Sequence, residues 1–101
     1  MAAYWIARSR ILNPAAYKQY TDRVPDILKT FNAKVLTRGS LYETLEGPDY
    51  FQRYVVLEFD CMADARACFN SPEYQAAAAF RRSGAGEVQL TIAESGDKTP
   101  V

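Results

Sequence analysis

Phe69-Asn70-Ser71-Pro72-Glu73-Tyr74-Gln75 repeats a pattern already used at Leu12-Asn13-Pro14-Ala15-Ala16-Tyr17, and the repeat divides the chain into two similar halves. Each copy sets a small polar residue before a proline, with a tyrosine soon after. The side chains of Asn13 and Ser71 can accept from a free helical N–H. Pro14 and Pro72 fall at the first helical position, where a missing N–H costs nothing. Two helix starts are thereby marked, one in each half of the chain.

Residues 3–11 alternate, with Tyr4, Ile6, Arg8 and Arg10 on one side and Trp5, Ala7, Ser9 and Ile11 on the other, which predicts a strand. From Pro14 the apolar spacing becomes helical through Tyr17, Tyr20, Val24, Ile27, Leu28 and Phe31, and Pro25 should bend or divide that helix. Asn32 suits a left-handed C-cap. A second strand is expected from Lys34 to Arg38, interrupted by a bulge or bend at Gly39-Ser40 and resuming over Leu41–Glu46. Gly47-Pro48-Asp49 marks a turn into Arg53-Tyr54-Val55-Val56-Leu57-Glu58-Phe59, a strand apolar enough to be covered on both faces. Asp60 is the expected cap of a short helix over Met62–Phe69. Ser71-Pro72 starts another helix, which ends at Gly84-Ala85-Gly86, and Glu87–Ala93 alternates as the last strand.

The resulting order is βαββαβ with the second helix broken in two, the split pattern of ferredoxin-like α+β folds. Right-handed crossovers put both helical layers on one face of a four-stranded antiparallel sheet of order 4-1-3-2. The other face carries apolar residues with nothing to cover them, which predicts a homodimer, sheet face to sheet face, as a dimeric α/β barrel. Residues 1–94 form the expected domain and 95–101 a polar tail.

Composition narrows the function. Twelve basic residues balance twelve acidic ones among 101, which gives no electrostatic footprint for nucleic acid or an anionic membrane. There is no histidine, and the cysteines, Cys61 and Cys68, fit neither a zinc knuckle nor a redox pair, so the expectation is a chain without metal, haem or other cofactor. Charge at Arg8 interrupts the N-terminal apolar stretch before a signal-peptide core can form, and a reducing cytoplasm is the expected setting.

Together, Ala3-Tyr4-Trp5-Ile6-Ala7-Arg8, Asn13-Pro14-x-x-Tyr17-x-x-Tyr20, Leu36-x-Arg38-Gly39, Glu43-x-x-Glu46-Gly47, Val55-Val56-Leu57-Glu58-Phe59 and Ser71-Pro72-Glu73-Tyr74-Gln75 resemble the domain of unknown function 1330 over about residues 3 to 94. The resemblance implies membership of the dimeric α/β-barrel superfamily, whose relatives include cofactor-free monooxygenases, muconolactone isomerase-like enzymes and chlorite dismutase-type haem proteins. The haem-binding relatives use a histidine that this chain lacks, so their activity is not implied. Two departures from the family pattern are Asn32-Ala33, where a glycine pair is common, and Ser40, where a second glycine commonly follows Arg38-Gly39.

Several side chains are candidates for chemistry. Arg38 and Glu43 flank the Gly39-Ser40 interruption: Arg38 suits a carboxylate or enolate and Glu43 a proton transfer, or the two form a structural pair. Glu58, alone among apolar neighbours, is either a general base of raised pKa or the partner of an arginine such as Arg8 or Arg10. Tyr17, Tyr20 and Tyr74 are core residues first, and substrate-orienting phenols if their oxygens converge on a cavity. Trp5 and Phe59 read as core, Cys68 as an inert filler, and Ser71 as a cap with no triad partner. Gly84-Ala85-Gly86 reads as a turn and Arg81-Arg82 as a solvated pair at a helix C-terminus. The functional expectation is a small-molecule-binding protein, either a cofactor-independent enzyme (proton transfer, isomerase, lyase or monooxygenase) for an anionic or aromatic compound, or a non-catalytic ligand-binding or dimerisation module.

Overall fold

The computed structural model describes residues 1–100. Strand β1 spans Ala3–Ile11, and helices α1 (Pro14–Thr21) and α2 (Val24–Thr30) follow it. Strands β2 (Lys34–Gly39) and β3 (Arg53–Phe59), helices α3 (Met62–Asn70) and α4 (Pro72–Arg82), and β4 (Gly86–Glu94) complete the fold. The sheet order β2-β3-β1-β4, antiparallel throughout, is that of the ferredoxin-like fold.

The caps form as their chemistry requires. Asn13 accepts from the Ala16 N–H and Ser71 from the Tyr74 N–H, each 3.2 Å away, with proline just inside the helix. Pro25 lies in the first turn of α2, so the long amphipathic stretch is two helices, and Asn32 ends it with φ of 56°.

Odd-numbered β1 residues face the helices. Trp5 stacks on Phe59 at 5.9 Å between ring centroids and meets Tyr74 edge-on at 5.1 Å, with Leu28, Leu57, Ala65, Cys68 and Ala78 closing the same core. Such aromatic pairs add about 0.5–1.5 kcal/mol each beyond the area they bury. Even-numbered residues face away from the helices: Ile6, 45% exposed, stands opposite Val56, and Tyr4 opposite Glu58.

Three expectations are corrected and one is made specific. Leu41–Glu46 does not resume the strand: residues 40–52 form a loop without helix or strand, and Leu41 (103% exposed) and Leu45 (87%) have no core to join. Gly39-Ser40 carries only the bend, at Ser40, while the bulge falls at Leu36, between Val35 and Thr37. Cys61 occupies the N-cap of α3 in place of Asp60, and its side chain makes no capping bond. Arg81 is not solvated but buried at 7% exposure, because α4 turns it inward two turns after Tyr74.

Candidate functional site

The bulge at Leu36 decides what β2 offers to the helical side. With unbroken pairing from Lys34↔Glu58 and Val35↔Leu57, Arg38 would fall opposite Tyr54 on the uncovered face. The extra residue shifts it opposite Val55, on the face toward the helices. Arg38 thus joins a cleft of about 40 Å³ whose floor is Ala7, Val55 and Leu57 and whose helical wall is Tyr20, Thr21, Val24 and Leu28. Arg53, the first residue of β3, completes the lining. Two guanidiniums and a phenol border this cleft, no carboxylate does, and neither arginine has a side-chain partner among the described residues. A volume near 40 Å³ holds a few waters at about 10–15 Å³ each, or the head group of a small organic molecule.

Behind the cleft lies a buried polar chain. The Tyr20 and Tyr74 hydroxyls are 2.9 Å apart, and Arg81 donates from Nη2 to Tyr74 Oη at 3.1 Å. The Arg81 guanidinium also lies 5.1 Å from the centre of the Tyr20 ring, and its Nε–H has no partner. Burial, reinforced by the adjoining Tyr74 hydroxyl, pushes the Tyr20 phenol well above its ordinary pKa. It is therefore a neutral hydrogen-bonding group at physiological pH.

The remaining candidates are dispersed. Tyr17 is buried, with its ring 5.5 Å from that of Tyr20, and does not line the cleft. Glu43 is exposed on the 40–52 loop, and no ion pair joins it to Arg38. Glu58 faces the uncovered side of the sheet between Tyr4 and Lys34, without the suggested pairing to Arg8 or Arg10. Arg8 instead donates to Gln89 Oε1 at 3.0 and 2.7 Å, and Arg10 to the Tyr50 carbonyl at 3.3 Å. Arg53 and Arg81 escaped sequence reasoning. Alternation along β3 would have put Arg53 beside Val55 and Leu57, and the heptad spacing of Tyr74 and Arg81 would have put both on one face of α4.

A larger, open groove of about 600 Å³ is lined by Arg8, Tyr50, Phe51 and Glu87 among others. Its polar groups already satisfy one another: Tyr50 donates to Glu87, Arg8 to Gln89, and the Arg8 guanidinium lies 4.5 Å from the Phe51 ring centre. The smaller cleft, with its unpaired cations, is the better candidate for recognising a ligand. Among the described residues no three His, Cys, Asp or Glu side chains converge as metal ligands, and no helix is long and apolar enough to cross a membrane.

The whole fold recurs in solved structures. A dimeric ferredoxin-like protein of unknown function from Jannaschia sp. CCS1 has a TM-score of 0.69 at 11% identity, covering 94% of this chain and 100% of that one. SnoaB, a cofactor-independent oxygenase from Streptomyces nogalater, has 0.64 at 13% identity, covering 99% and 98%. The hydroxynitrile lyase from Passiflora edulis has 0.66 at 16% identity, covering 98% and 97%. At these identities the likeness establishes the fold, which evidently carries different chemistries. No curated protein matches the chain. The sequence pattern of the domain of unknown function DUF1330 matches residues 2–95, and the chain belongs to that family.

Proposed function

We propose that the protein is a homodimer that binds a small organic anion in the cleft between α1, α2 and the sheet, and uses it in cofactor-independent chemistry of the proton-transfer, isomerase, lyase or monooxygenase kind. The observation that carries this reading is the pair Arg38 and Arg53, two cations on one cleft with no acidic partner. An unpaired guanidinium presents a planar fork that matches a carboxylate or enolate. Arg38 holds the anion, Tyr20 contacts it, and Tyr74 and Tyr17 fix Tyr20 from behind. Glu43, on the loop that leaves β2 beyond Arg38, is the carboxylate we assign to proton transfer. Glu58, on the opposite face, we assign to the subunit interface. The uncovered apolar pair Ile6 and Val56 supports pairing of two sheets, as do the dimeric proteins of the same fold. The free thiols of Cys61 and Cys68 fit a reducing cytoplasm.

A second reading, a binding module without catalysis, is favoured by one observation: the cleft lining contains no carboxylate to act as a base. Thermal-shift screening with small organic acids tests both, since a ligand at a hundred times its Kd adds about 2.7 kcal/mol of stability. Arg38→Ala should weaken the best hit by roughly 1.5–3 kcal/mol and leave the unliganded melting temperature nearly unchanged. A large loss of stability with unaltered affinity would return Arg38 to the scaffold. Turnover of the hit, lost in Glu43→Ala, would separate the enzyme from the binding module.

A further inference from the structure

The direction of the hydrogen bonds behind the cleft follows from which groups lack alternatives. Arg81 can only donate, so Tyr74 Oη accepts from it at 3.1 Å. Tyr74 is fully buried, and the one other polar atom bonded to its hydroxyl is Tyr20 Oη at 2.9 Å. Were Tyr20 the donor to Tyr74, the Tyr74 proton would be buried with no acceptor, which is the costlier arrangement. Tyr74 therefore donates to Tyr20. The Tyr20 proton has no acceptor in the protein, and Tyr20 lines the cleft that Arg38 and Arg53 border.

We infer that Arg81, Tyr74 and Tyr20 form a one-way donor relay that presents the Tyr20 hydroxyl as a hydrogen-bond donor to an anionic oxygen, carboxylate or enolate, of the ligand in this cleft. The inference rests on the anion-binding reading above and adds its polarity: the ligand atom at Tyr20 is an acceptor. Arg81 is a positioning residue, since it does not line the cleft and acts on the ligand through Tyr74 and Tyr20. Each bond in such a chain polarises the next, and the guanidinium at its far end keeps the polarity fixed. This also accounts for a buried cation with no carboxylate beside it. Its charge is turned, through the relay, toward a negative charge that arrives from outside.

The test uses acetate, pyruvate and benzoate as probes, with the protein labelled at tyrosine ¹³Cζ. Tyr20 is assigned by the resonance lost in Tyr20→Phe. A saturating carboxylate should move the Tyr20 Cζ resonance in the unsubstituted protein once it is so assigned. Tyr20→Phe should bind about tenfold more weakly or worse, as for a lost hydrogen bond to a charged group, and Tyr74→Phe about threefold more weakly, as polarisation is lost. A carboxylate that depends on Arg38 but binds Tyr20→Phe as tightly as the parent, or leaves the Tyr20 resonance unmoved, would overturn the relay and leave the anion site standing. If none of the three probes binds, both fall together.

Discussion

Arg81 and Tyr74 stand seven residues apart on one face of α4, and the guanidinium of the first donates to the phenol oxygen of the second at 3.1 Å. Burying a cation without a counter-charge is unfavourable; apolar replacement of a whole buried ion pair is often neutral or stabilising, and Arg81 has no carboxylate that its removal would strand. Arg81→Met is therefore expected to unfold in urea within about 1 kcal/mol of the parent, or to be more stable, while carboxylate affinity falls. A loss of several kcal/mol would show that the guanidinium holds the fold together.

Gly86 is expected to tolerate no side chain. An added Cβ would lie 2.8 Å from Tyr17 Cε2 and 3.0 Å from the Arg10 carbonyl oxygen, and the latter is backbone that cannot swing aside. Gly86→Ala should cost roughly 1–3 kcal/mol as overpacking, read from the shift in urea midpoint. Gly84→Ala, with open space around the site but φ of +94°, should lose stability through backbone strain alone.

Lysine at Val56 should separate the subunits. Val56 faces its cross-strand neighbour Ile6 on the uncovered side of the sheet, where a partner sheet would bury the new charge. Light scattering at micromolar concentration should give a dimer for the parent and a monomer or unfolded chain for Val56→Lys. A parent monomer with its native fold intact would refute the dimer.

Stability should fall on the alkaline side. Burial raises the Cys68 thiol from 9.0 to about 11 and pushes the Tyr20 phenol upward from 10.0. A raised folded-state pKa contributes stability that is complete below the unfolded-state value and is lost as pH climbs toward the folded-state one. For Cys68 that window runs from 9.0 to about 11, and its share is roughly 2–3 kcal/mol. Urea midpoints measured from pH 8 to 11 should decline, and less steeply in Cys68→Ala. A flat profile would contradict this.

The strand order, both proline-marked helix starts and the left-handed Asn32 were legible because each rests on a local rule: alternation, a cap or a turn. The site was legible only by type. Arg38 was recognisable as a cation beside a strand irregularity, yet the bulge that aims it lies at Leu36, where no glycine or proline announces it. The inward turn of Arg81 depends on the Tyr74 hydroxyl and the Tyr20 ring, the latter from an element more than fifty residues away in sequence. Leu41 and Leu45 look like strand residues, but the chain leaves the sheet after Gly39, and pattern alone cannot show where pairing stops.

The central position of β1 has a consequence for synthesis. Its two neighbours are β3 and β4, and Ala3 aligns with Phe59 on one side and Glu94 on the other. Ribosomes deliver about 5–20 residues per second, so the first strand made waits for the last before its second edge is closed. Until then Trp5 and its flanking apolar residues are available to chaperones and to wrong partners. Pairing so distant in sequence also slows folding once the chain is free. Shortening the chain from its C-terminal side through the nine residues of β4 would turn β1, one of the two inner strands, into an open edge.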